Sequence, residues 1–186
     1  MNIATDLSPP PLALARHPED PATQAFAGVI VQSLLARRQP LIRGLNEDGF
    51  RTLVDSYFPG LDCRNGKPGE KELALFEYDE FVDLVDLLLD HRATGQEMEV
   101  WLVHAIATAA MGENHLWQDM GLPNRKVLSA LMQKHFPSLA ALNHKDMKWK
   151  KFFYRQLCER SGVLICKSPN CTECCDYRIC FGPEDA

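Results

Sequence analysis

Apolar positions recur along the chain at spacings of three and four, and nowhere in sustained alternation, so the pattern predicts helices and no sheet. Asp20 before Pro21 marks the first helix start, a capping side chain ahead of a proline at the first helical position, and that helix is expected to run to about Arg38. Asn46 caps a second helix whose Phe50, Leu53, Val54 and Tyr57 share a face and which Pro59 and Gly60 end. The stretch "PGLDCRNGKPGE" is a loop. A third helix, from about Glu70 to Arg92, turns Leu73, Phe76, Phe81, Leu84, Val85 and Leu88 inward. Thr94 and Glu97 read as a capping box for a fourth, whose "VWLVHAIATAAM" is alanine-rich and suited to close helix contacts. Pro123 opens a fifth helix through Phe136, with Val127, Leu128, Leu131 and Met132 apolar. The last runs from Asp146 to Arg160, and Gly162 stops it.

The expected fold class is therefore all-α: a compact bundle of about five to seven helices with a C-terminal cysteine-rich metal-binding tail. Residues 1–20, with Pro9, Pro10, Pro11 and Pro18, read as a mobile arm, 21–162 as the helical domain and 163–186 as the tail.

Composition changes this picture little. With 46% hydrophobic and 24% charged residues the 186-residue chain is ordinary for one globular domain, large enough to bury a core without covalent staples. No secretory signal and no membrane-length apolar run is visible, so the expected location is the cytoplasm, with no membrane partner. A net charge of -5 argues against nucleic acid as a general partner.

The cysteines change it most. Of seven, five lie between Cys166 and Cys180, in "CKSPNCTECCDYRIC", and in a reducing compartment such a cluster reads as metal ligands or redox groups before disulfides. Cys166, Cys171, Cys174 and Cys180 have the spacing C-x4-C-x2-C-x5-C, and Cys175 is left over. Four thiolates on a short segment can converge on one centre, and soft thiolate suits iron-sulfur clusters, zinc or copper(I). The first three members repeat the C-x4-C-x2-C run of plant-type iron-sulfur proteins, which favours iron; zinc and redox use stay open, although the paired C-x2-C arrangement common in zinc sites is missing. Cys158, on an amphipathic helix, reads as a small hydrophobe, and Cys63 as a lone loop cysteine without a specific role.

The helix ahead of the cluster is locally basic. Lys145, Lys148, Lys150, Lys151, Arg155 and Arg160 face only Asp146 and Glu159 across that stretch. Cations there could stabilise an anionic cluster or attract acidic surfaces, or could simply be a solvated face beside the aromatic stripe of Trp149, Phe152 and Phe153.

Together the tail spacing, "DMKWKKFFYRQLCE" and "NHLWQDMGLPNRKVLSALM" resemble the NifQ family, densely from about Glu97 to Gly182. The resemblance implies a molybdenum-containing iron-sulfur cluster that acts as molybdenum donor for assembly of the nitrogenase iron-molybdenum cofactor. Its implied partners are the nitrogenase iron protein and the cofactor-assembly scaffold, with molybdate or a molybdenum carrier upstream. Cys166, Cys171, Cys174 and Cys180 match the family's metal-ligand motif; Cys175 lies outside it and is a candidate accessory contact, able to substitute for Cys174 or to serve as a transient ligand during transfer. Release of molybdenum calls for one weakly held corner, and an exposed tail could present the cluster without opening the core.

Among other residues, His115 in "ENHLWQD" is the first candidate for an accessory metal or oxyanion contact, against the plainer role of capping or bridging backbone at a turn. His104 reads as a satisfied core histidine. Asp79, Asp83, Asp86 and Asp90 form an acidic stripe on the third helix, a solvated face or a dock for the basic helix. No phosphate-cradling glycine loop and no nucleophile with a base appear, so the protein is not read as an enzyme. The competing reading is a zinc- or iron-sulfur-containing helix-turn-helix regulator that uses the helix of residues 122–136, disfavoured by that helix's apolar middle.

Overall fold

A computed structural model describes residues 9–67, 80–162 and 174–184. Among these the chain is wholly helical: a 3-10 turn at Pro11–Leu14, then α1 Pro21–Leu35, α2 Glu47–Tyr57, α3 Glu80–Asp90, α4 Glu97–Ala110, α5 Leu116–Asp119, α6 Arg125–His135, α7 Pro137–Leu142, α8 Trp149–Arg160 and α9 Tyr177–Phe181. That is more helices than the five to seven expected. The surplus is α5, α7 and α9, each too short to leave a periodic trace in the sequence.

The caps explain where most helices begin. Asp20 accepts from Thr23 N at 3.2 Å and Asn46 from Gly49 N at 2.8 Å, as their residue types predict. The expected Thr94–Glu97 box does not form. Instead Glu99 reaches back and accepts from the backbone N–H of both Thr94 and Gly95, at 2.9 and 2.8 Å, across a turn that Gly95 makes with φ +73°. At α6 the cap is Asn124, on Val127 N, one residue past Pro123. The last long helix starts at Trp149, not Asp146: Asp146 sits at φ +56° in a turn closed by Asn143, whose side chain accepts from Met147 N and donates to Met147 O.

α4 is the centre of the molecule. Trp101, Leu102, Val103, Ala105, Ile106, Ala107, Ala109 and Ala110 are all buried, which covers it on nearly every side, and α1, α2, α3 and α5 pack against it. α1 crosses the turn ahead of α6 at backbone distance. A Cβ on Gly28 would strike the Met120 carbonyl, and one on Gly121, itself at φ +62°, would come within 2.6 Å of Gly28 Cα. The glycine of "DMGLP" is thus required twice, for its turn and for this crossing.

Phe81, Leu84, Val85 and Leu88 of α3 are buried as expected, while Leu73, Phe76 and Asp79 lie outside the described residues. In the loop after α2, buried Asn65 accepts from Ile42 N and donates to Ile42 O and Leu45 O, tying the 41–45 segment down. Of the segment read as a mobile arm, residues 9–20 lie against the helices: Pro11 is buried and Arg16 N donates to Tyr57 O.

Candidate metal centre

Cys174, Cys175 and Cys180 fall within the described residues, and Cys166 and Cys171 outside them. Among the described residues no three His, Cys, Asp or Glu side chains converge as a metal site. What is visible is how the second half of the cysteine segment is held. The Cys174 carbonyl accepts from Tyr177 N at 3.1 Å and starts α9, and Cys180 N bonds to Asp176 O. Cys174 and Cys180 are half-buried, whereas Cys175 is exposed with its Sγ 3.7 Å from Asp176 Oδ1. The adjacent thiols therefore differ in exposure, as neighbouring side chains on a turn must when they point apart.

α9 docks on the domain, where the sequence suggested a tail standing clear of it. Lys148 N, just ahead of α8, donates to the Cys180 carbonyl at 2.8 Å, and Cys180 and Phe181 pack against the core. Beside this contact lies a cleft of about 250 Å³ between Leu142, Lys145 and Met147, Phe152 and Arg155 of α8, and Phe181.

A second anchor follows four residues on. Glu184, with its side chain only 5% exposed, places Oε1 3.2 Å from Arg125 Nη1 and 3.8 Å from His115 Nδ1. Arg125 is the first residue of α6, and its Nη2 also donates to Asp146 Oδ1, Asp146 O and Met147 O at 2.7–2.9 Å. This one guanidinium gathers the 146–147 turn and the end of the cysteine segment to the start of α6. Arg125 and Glu184 were missed by sequence reasoning, because a pair 59 residues apart leaves no periodic or motif signal.

His115 caps α5 with its backbone: its carbonyl accepts from Gln118 N and Asp119 N, and its own N–H donates to Gln118 Oε1. The plainer reading holds for the main chain. The ring, one third exposed, turns toward Glu184, so the structure brings the sequence candidate to the cysteine segment. The loop that carries it is fixed by Asp119, which accepts from Asn114 N, Asn114 Nδ2 and Lys150 Nζ, while Lys150 also donates to the Gly112 carbonyl. Burial holds the Lys150 ammonium below its ordinary pKa, opposed by the Asp119 carboxylate.

The basic helix thus divides. Lys150 is internal, Arg155 pairs with Glu159 and Arg160 reaches Asp90 at 2.9 Å, while Lys145 and Lys151 are exposed. Both readings of the acidic stripe hold in part, since Asp90 docks to α8 and Asp83 and Asp86 face solvent. Trp149, Phe152 and Phe153 are buried as a ring cluster with centroids 5.8–6.3 Å apart. His104 is half-buried beside Phe81, and its Nδ1 has no hydrogen-bond partner among the described residues, so it is not the fully satisfied core histidine expected. Cys63 is inert at neutral pH: burial pushes its thiol up to about 11. Cys158 is half-buried on α8.

Residues 25–182 match the model of the family described as NifQ, a span that includes all four spaced cysteines. The chain belongs to the NifQ family. It is 37% identical over 158 residues to the Protein NifQ of Azotobacter vinelandii, covering 78% of this chain and 80% of that one. Against the Protein NifQ of Rhodobacter capsulatus the identity is 34% over 182 residues, 95% and 98% of the two chains. Against that of Klebsiella pneumoniae it is 47% over 81 residues, 43% and 48%. No solved structure matches the chain. No helix among the described residues is long and apolar enough to cross a membrane.

Proposed function

We propose that the protein serves nitrogen fixation as a carrier, without enzymatic turnover, that donates molybdenum for assembly of the nitrogenase iron-molybdenum cofactor. The observation that carries this reading is membership of the NifQ family across a span that includes the C-x4-C-x2-C-x5-C segment. Its cargo is molybdenum on an iron-sulfur cluster, for which soft thiolate is the fitting donor. Cys166, Cys171, Cys174 and Cys180 are the proposed ligands, and half-buried Cys174 suits that role better than its exposed neighbour Cys175. The proposed recipients are the cofactor-assembly scaffold and the nitrogenase iron protein, in the cytoplasm, with molybdate or a molybdenum carrier as the source.

The docked α9 adjusts how delivery is pictured. Cys180 is held through its carbonyl on Lys148, so this side of the segment is fixed to the domain while Cys175 faces outward, and exchange with a partner belongs on the Cys175 side. The helix-turn-helix alternative gains nothing: Arg125, at the start of the would-be reading helix, is committed to Glu184 and Asp146.

Anaerobic purification with metal analysis and electron paramagnetic resonance tests the reading. The expected result is a brown protein that contains iron and molybdenum, with metal lost when Cys166, Cys171, Cys174 or Cys180 is replaced by serine and retained when Cys175 is. A colourless protein with stoichiometric zinc would overturn it.

A further inference from the structure

The residues around Glu184 have the form of an anion site already filled by the chain's own carboxylate. Arg125 Nη1 and His115 Nδ1 come from different elements, the start of α6 and the cap of α5, yet both converge on the single oxygen Oε1. Among the described residues Arg125 Nη1 has no other partner, since Asp146 and Met147 take Nη2. Nη1 carries two N–H groups, and a single carboxylate oxygen at 3.2 Å takes one of them.

Glu184 is a poor permanent occupant. Its side chain is buried, which desolvates its charge, but among the described residues it takes one cationic hydrogen-bond donor at 3.2 Å and a ring nitrogen at 3.8 Å, and no backbone N–H. Asp119 in the neighbouring loop shows what permanence looks like in this fold, with two donors from Asn114 and one from Lys150. The tether of Glu184 is short, since the next anchor upstream is the Cys180 carbonyl on Lys148 N. Departure of the carboxylate therefore leaves α9 seated while freeing Arg125 Nη1 and the face of the His115 ring.

We propose that Arg125 and His115 form a binding site for a tetrahedral oxyanion, which displaces the Glu184 carboxylate when it enters. A tetrahedral dianion can take Arg125 Nη1 and the imidazole on separate oxygens, where Glu184 offers both the same one. Asp146 offsets part of the Arg125 charge, so binding is modest and reversible, as suits a transit site. Only the identity of the anion, molybdate, rests on the function proposed above; the site itself rests on the geometry.

The test is isothermal titration of the metal-free protein with sodium molybdate and, separately, sodium sulfate. Removing the competing carboxylate in Glu184→Ala, or only its charge in Glu184→Gln, is expected to tighten molybdate binding about tenfold, and adding Arg125→Gln is expected to abolish the gain. A gain in affinity is not something misfolding can imitate. Affinity in both Glu184 variants no tighter than in the parent, or a gain that survives Arg125→Gln, would overturn the site. Equal binding of sulfate supports the site as a general oxyanion site. Iron and molybdenum content of the anaerobic protein tests the carrier reading independently, so either can fail alone.

Discussion

Among the described residues two histidines face a buried glutamate, and the two pairs are put to different uses. Glu99 stands 3.6 Å from His135 Nδ1, and Glu184 stands 3.8 Å from His115 Nδ1. In the first pair both side chains are buried and the carboxylate also holds two backbone N–H groups of its own turn. In the second the histidine is one third exposed, and the remaining donor is an arginine that serves another turn as well. Burial of the carboxylate is nearly the same, 2% against 5%. What separates a structural pair from an exchangeable one is thus the number of donors and where they come from. Donors within five residues of the carboxylate are present whenever the turn is. Those brought from 59 and 69 residues away hold only while the two segments stay docked.

The sharpest way to break the comparison is to remove both carboxylates in turn. Glu99→Ala strands two amides and a buried imidazole and is expected to cost about 3 kcal/mol, roughly 6–12 °C in the melting temperature of a chain this size. Glu184→Ala leaves Arg125 with Asp146 and is expected to cost about 1 kcal/mol, a shift of roughly 2–4 °C that added molybdate partly reverses. Equal losses at the two positions would show that the tail pair is as structural as the core pair.

Acid acts on the core pair. Burial, then Lys134, holds His135 below its ordinary value of 6.5 against the pull of Glu99, and burial likewise lowers His91 and His104. Such groups stay neutral in the fold while the unfolded chain takes up protons. Their contribution to stability is present above pH 6.5 and is lost as the pH falls through their folded values. Chemical denaturation at a series of pH values from 7.5 to about 5 should show declining stability, with a shallower decline in His135→Gln. The smallest effect is expected at Asp146, which is 79% exposed. Asp146→Asn should move stability by only a few tenths of a kcal/mol, because an exposed ion pair is screened by water.

What could be read in advance follows the same division between near and far. The caps at Asp20 and Asn46, the inward faces of α2 and α3 and the alanine-rich central helix are set by neighbours within a turn or two, so residue type and spacing reveal them. The start of α4 was misread because Thr94 and Glu97 satisfy the box pattern, while Gly95 turns the chain so that Glu99 arrives first. Asp146 was misread as a helix start because nothing in its type announces a left-handed backbone held by Asn143. The cysteine spacing lies within one short segment and could be read directly, whereas the seat of α9 on Lys148 and the reach of Arg125 to Glu184 could not, being products of tertiary packing.

The contact between Lys148 N and the Cys180 carbonyl involves main-chain atoms alone. Any residue except proline can occupy either position and keep it. A cysteine-to-serine exchange at 180 therefore subtracts a sulfur from the segment without subtracting the grip that seats it, and a colour change in that variant reports on ligation rather than on lost docking.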